Sequence, residues 1–177
     1  MSKKVMLIGE LSGFMVNAVK NGLTKEGYDV VPVPWDIDKI SHAESQPNIR
    51  VIYLDGKMFA QEEIFIYLRD EAVENERRVF LIGSKEELEE AHKYLKGLLT
   101  VKDFERPFNV SMLAEVLEKE FELEAKALLK KKILIVDDNP TMLRSFKAML
   151  DSKYRVYIAN SGINAFTFLG KTPVDLI

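Results

Sequence analysis

Apolar positions along the chain follow two alternating patterns. Runs of nearly continuous aliphatics, KVMLIGE (4–10), YDVVPV (28–33), IRVIYLD (49–55) and RVFLIGS (78–84), are separated by stretches in which apolar residues recur every three or four positions. The first pattern predicts strands buried on both faces, the second amphipathic helices. After the first run, Met15, Val16, Val19 and Leu23 fall on one helical face, with Ser12 as the predicted N-cap and Gly27 as the residue past the C-cap. A Pro-rich turn leads to a short helix near Ile37 to Ser41, and a further helix is expected from about Ala60 to Ala72. Ser84 and Glu87 have capping-box spacing at the head of a helix that Gly97 ends. A fifth strand is expected around Leu98 to Val101, followed by a helix from Val110. Five strands alternating with five helices predict an open parallel sheet covered on both faces.

From Lys132 the order begins again. KILIVDD aligns with KVMLIGE, Tyr154 with Tyr28, and a helix with Met142, Leu143, Phe146, Met149 and Leu150 on one face separates the two strands. A short helix near Ile163 to Leu169 and the segment PVDLI follow, so the repeat stops part-way through its third strand. The expected fold class is therefore α/β: a flavodoxin-like (βα)5 doubly wound parallel sheet over residues 1–124, a helical linker at 125–131 continuing the fifth helix, and a partial second copy (β-α-β-α-β) at 132–177. No Gly or Pro interrupts residues 110–130, where Val110, Leu113, Leu117, Phe121 and Leu128 keep helical spacing. Two readings stay open: a fifth helix with a short charged linker, or one rod of about 31 Å whose exposed stripe forms a homodimer.

Composition narrows the chemistry. The 177 residues are 47% hydrophobic and carry a net charge of −3, with no general basic excess for phosphate backbones, so nucleic acid is not an expected partner. Cysteine is absent, which removes disulfides and thiolate metal sites. No apolar stretch has the ~20 residues of a membrane span, and Glu10 interrupts any signal-peptide core, so a cytoplasmic protein is expected. His42 and His92 are widely separated and are read as exposed polar residues, Trp35 as a packing or loop residue, and SKEELEE as a solvated helix face.

The run KILIVDDNP ends on two adjacent acids at the carboxyl end of a buried strand. Two like charges side by side resist desolvation, and a hard divalent cation such as Mg²⁺, which takes one or two carboxylates and keeps several waters, resolves that cost. The alternative is that Asp138 caps the next helix, with Asn139 and Thr141 as competitors. ILIVDDNPTMLRSFKAML, YRVYIANSGINAFTFL and PVDLI together resemble the first part of a response regulator receiver domain. The resemblance implies that Asp137 and Asp138 bind Mg²⁺. It also implies that an aspartate ending the third strand accepts a phosphoryl group from a histidine kinase or phosphotransfer protein. By this alignment that acceptor falls past Ile177, so a longer native protein with an output domain is expected.

Residues 3–124 resemble the same family more weakly. Asp55 stands at the phosphoacceptor position, Met58 completes an Asp-x-x-Met pattern, and ERPFNV resembles the segment after the fifth strand. The departures are specific. Gly9 replaces the first acid and leaves Glu10 as the metal candidate, Arg106 replaces the family lysine, Ser84 is the candidate switch hydroxyl, and Phe104 lies two residues before Arg106 instead of three. Arginine is a planar fork and a poor mimic of a compact ammonium. The chain therefore reads as a two-component response regulator with tandem receivers, a conformational switch and not an enzyme. The other reading makes the first receiver a non-phosphorylated pseudo-receiver serving interaction or dimerisation. A haloacid dehalogenase-type phosphohydrolase is a distant alternative, because DDNPT places Asn139 where that motif needs a second acid. The segment GELSG matches neither nucleotide-binding glycine pattern.

Overall fold

The computed structural model describes residues 3–98 and 102–177. By internal contacts it divides into two compact units, Met1–Leu117 and Glu118–Ile177. In the first unit the strands are β1 (Lys4–Ile8), β2 (Asp29–Val33), β3 (Ile49–Tyr53), β4 (Arg78–Gly83) and β5 (Lys102–Glu105). All pair in parallel, in the order β2-β1-β3-β4-β5. This unit's helices are α1 (Phe14–Lys25), α2 (Ile37–Ser41), α3 (Glu62–Glu74) and α4 (Lys85–Tyr94), with a 3-10 turn at Gly56–Ala60; α5 (Val110–Leu129) begins in this unit and continues past Leu117.

The central strands read as they do because both faces are covered: all five residues of β3 are buried, and so are Val5 to Ile8 of β1. One face packs Phe65, Leu68 and Ala72 of α3 with Leu88 and Ala91 of α4 in a single apolar cluster. Burying one such side chain stabilises by about 1.5–3 kcal/mol. Trp35 packs edge-on against Phe65, ring centroids 4.7 Å apart, as its packing role required. Gly22 lets α1 approach α5, since a Cβ there would lie 2.8 Å from a Val110 methyl. Arg50, 1% exposed within β3, is held by Gln46 and by Glu71 at 2.9 Å. Gly27, at φ +90°, closes α1 in the left-handed conformation expected of it.

Several expectations are corrected. The fifth strand is Lys102–Glu105; residues 99–101 of the expected span lie outside the described residues. As an edge strand it needs only Phe104 fully buried, so it lacks the continuous apolar run that marks the central strands. Ser12 does not cap α1. Gly13 stands at that position without a side-chain bond, because the Ser12 hydroxyl donates to Glu10. Met15 is exposed, and α3 starts at Glu62, after the 3-10 turn. The Ser84–Glu87 capping box is present in full.

Helix α5 is one continuous helix to Leu129, about 30 Å by its rise per residue. The second unit contains β6 (Lys132–Val136), α6 (Pro140–Leu150), β7 (Arg155–Ala159) and α7 (Gly162–Leu169). β6 and β7 form a parallel pair. The expected third strand is reduced to one bridge, Ile133 to Leu176. Of the apolar face expected on α6 only Leu143 is buried, and Met149 is 73% exposed, because two strands offer that face little to cover it.

Candidate functional site at the carboxyl edge of the sheet

Strand order reverses between β1 and β3, and ligands in open α/β sheets bind outside the carboxyl ends of strands at such a point. The register pairs Ile8 with Ile52, so Glu10 and Asp55 leave neighbouring strands at the same edge. Asp55 caps the 3-10 turn, its Oδ1 accepting the Lys57 N–H at 2.9 Å. Glu10 Oε1 accepts the Ser12 hydroxyl at 2.8 Å and the Ser12 N–H at 3.3 Å. These bonds, the hydroxyl first, hold the Glu10 pKa below its ordinary value; the Lys57 ammonium acts in the same direction and Asp55 opposes it.

The two carboxylates border two hollows of about 180 Å³ each. One is closed by Gly9, Pro34, Trp35, Lys57, Met58 and Gln61, the other by Gly13, Met15, Val16, Tyr53 and Arg106. Sequence reasoning thus named Glu10, Asp55 and Arg106, which meet here. It missed Tyr53, Lys57 and Trp35 as site residues, since Tyr53 sits inside an apolar run and Lys57 looks like ordinary turn chemistry.

The cation is engaged elsewhere. The Arg106 guanidinium lies over the Tyr53 ring, 5.1 Å from its centroid, and Nη1 donates to the Tyr53 hydroxyl at 3.3 Å. Nη2 donates to the Glu87 carboxylate, and Nε is buried without a partner among the described residues. Burial alone would lower the Arg106 pKa, but the bonds to Tyr53 and Glu87 outweigh it and raise the pKa above the ordinary value. Glu87 also accepts the Ser84 N–H at 2.7 Å. Ser84 is held in this cap, its hydroxyl donating to Glu86 at 2.9 Å and accepting the Glu87 N–H at 3.3 Å.

A larger residue at Gly9 would crowd its neighbours, for a Cβ there would stand 3.2 Å from a Val16 methyl and 3.3 Å from both the Tyr53 Cβ and carbonyl oxygen. The first unit thus offers a hard cation two carboxylates, each with one oxygen already bonded to protein and with Lys57 close by. In the second unit Asp137 and Asp138 follow β6; Asp137 Oδ1 accepts the Asn139 N–H at 2.7 Å. Asn139, not Asp138 or Thr141, caps α6, accepting from the Thr141 and Met142 amides. Two adjacent carboxylates, Asp138 exposed and Asp137 half-buried, fit an ion that keeps most of its waters. Among the described residues no group of three or more His, Cys, Asp or Glu is poised to hold a metal, and no helix is long and apolar enough to cross a membrane. His92 pairs with Asp103 at 2.6 Å, and His42 lies beside Asp38.

The sequence matches no protein-family model and no curated protein. Solved structures do match. The receiver domain of NtrX from Brucella abortus is 19% identical with a TM-score of 0.50, over 67% of this chain and 98% of that one. The receiver domain of a sensor histidine kinase from Pseudomonas aeruginosa is 16% identical with a TM-score of 0.50, over 67% of this chain and 97% of that one. The latter carries a magnesium ion coordinated in its active-site cleft. At these identities the likeness establishes the fold: the chain has the doubly wound α/β fold of receiver domains.

Proposed function

We propose that the chain belongs to a two-component response regulator with tandem receivers, in which the first receiver is a pseudo-receiver acting as an interaction module and the second carries the metal-binding acids. The observation that carries this reading is the engagement of Arg106 by Glu87 and Tyr53. Phosphoryl transfer to a carboxylate needs a cation for the charge that spreads over the phosphoryl oxygens. In the first unit Arg106, the cation that borders one of the two hollows beside Asp55, is spent on protein partners, and a side chain at position 9 would crowd Val16 and Tyr53. The fold likeness and the order of motifs from Lys132 support the family assignment and, with it, a histidine kinase or phosphotransfer protein as partner. Mg²⁺ held by Asp137 and Asp138 would supply neutralisation of phosphoryl oxygens.

Titration with Mn²⁺, observed as paramagnetic broadening of amide signals, tests the metal assignment. Broadening is expected first at Asp137, Asp138 and Asn139 and to be abolished by Asp137→Asn with Asp138→Asn. Broadening that begins at Glu10 and Asp55 and leaves the 137–139 signals sharp contradicts it.

A further inference from the structure

Glu87 does two jobs that its capping role alone does not require. A capping box asks only that the residue at the third helical position reach back to the N-cap amide, and Glu87 Oε2 does this at 2.7 Å from the Ser84 N–H. The same oxygen also receives Arg106 Nη2 from across the β4–β5 pair. The neighbouring backbone is shaped to admit it. A Cβ on Gly83 would stand 3.2 Å from Glu87 Oε2, 3.3 Å from Glu87 Cβ and 3.0 Å from a Leu54 methyl, so any larger residue at the end of β4 would crowd the Glu87 carboxylate. Arg106 is fixed from its own backbone too, its N–H donating to the Gly83 carbonyl at 2.8 Å. Its guanidinium is nevertheless left with a buried Nε–H that no group among the described residues accepts. Arg106 thus borders the same hollow as Asp55, and the anion that its Nη2 holds is the protein's own.

We propose that the Glu87 carboxylate is an intramolecular competitor for Arg106, occupying the place of an external oxyanion of the phosphoryl class and thereby keeping the Asp55 hollow from binding one. This deepens the pseudo-receiver reading, on which it rests for the identity of the ligand class. Charge-assisted bonds of this kind are the stronger ones, and here one partner is tethered at high effective concentration, so a dilute anion loses.

The experiment follows the Arg106 side-chain Nε–H signal of the full chain during titration with inorganic phosphate, comparing wild type with Glu87→Gln. Glutamine keeps the capping box and the side-chain volume while removing the charge, and the backbone amide spectrum reports that the fold is retained. Glu87→Ala serves as a second variant should Gln disturb the cap. The expected result is a saturable shift of the Arg106 signal in both variants and none in wild type at the same phosphate concentrations. No shift in either folded variant, or an equal shift in wild type, overturns the proposal. Phosphorylation of wild-type Asp55 would refute the pseudo-receiver reading, whereas an unmoved Arg106 signal in the folded variants would refute the competition while leaving that reading intact.

Discussion

Gly9 lies against Tyr53 so closely that a Cβ on the glycine would stand 3.3 Å from the Tyr53 Cβ and 3.3 Å from its carbonyl oxygen. Tyr53 is in turn the platform under Arg106. Position 9 and Arg106 are therefore linked through one residue, Tyr53. Overpacking a close-packed site costs about 1–3 kcal/mol, so Gly9→Asp is expected to lower stability by that amount in urea denaturation. An unchanged midpoint would show that the β1–β3 junction yields.

Glu71 is the carboxylate that holds Arg50 inside the sheet, at 2.9 Å, with Arg77 at 3.1 Å from the same oxygen. Burial draws the Arg50 pKa below the ordinary arginine value, and Glu71 partly restores it. Removing one partner of a buried ion pair strands the other, at a cost of about 3–5 kcal/mol. Glu71→Ala is expected to lose this much in equilibrium denaturation, and Arg50→Met, which removes the stranded charge, to lose less. A larger loss from Arg50→Met would contradict the assignment.

Asn139 caps α6 and Asp138 does not. Asn139→Ala is expected to cost the second unit about 1 kcal/mol, read as faster amide exchange in the first turn of α6. Asp138→Ala should leave that exchange unchanged; equal effects would mean that the cap is shared.

Glu10 titrates below its ordinary value because the folded state hydrogen-bonds its charged form. A carboxyl whose folded pKa is depressed contributes stability above its unfolded pKa and loses it as pH falls through the folded value. The effect is confined to the acid limb and vanishes as a slope near neutrality. Ser12→Ala should move the Glu10 side-chain carbon titration upward toward the ordinary value; an unmoved titration would show that the hydroxyl is not the main cause.

Periodicity in the sequence was enough to lay out the sheet, since strands covered on both faces must be continuously apolar. It did not mark Lys102–Glu105 as a strand, because at the sheet edge only Phe104 of that segment is buried. At the site, Glu10, Asp55 and Arg106 were legible through the resemblance of residues 3–124 to a receiver domain, whose acids and cation stand at those positions. Tyr53 and Glu87 were hidden by their other duties, one as a residue of a buried strand and the other as half of a capping box. Their second roles depend on the approach of β4 to β5 and of β1 to β3, which spacing along one chain does not reveal. In the second unit the helical faces were read correctly as apolar, yet Met142, Phe146 and Met149 stay exposed because burial depends on what lies opposite.

The proposed pseudo-receiver role requires that the first unit accept no phosphoryl group while Arg106 is committed to Glu87 and Tyr53. Its most direct test is intact mass after the folded chain is incubated with Mg²⁺ and a small acyl phosphate, beside an Asp55→Asn control. The account predicts no phosphoryl gain at Asp55, so that wild type and control behave alike. A one-phosphoryl gain in wild type that disappears in Asp55→Asn would contradict it.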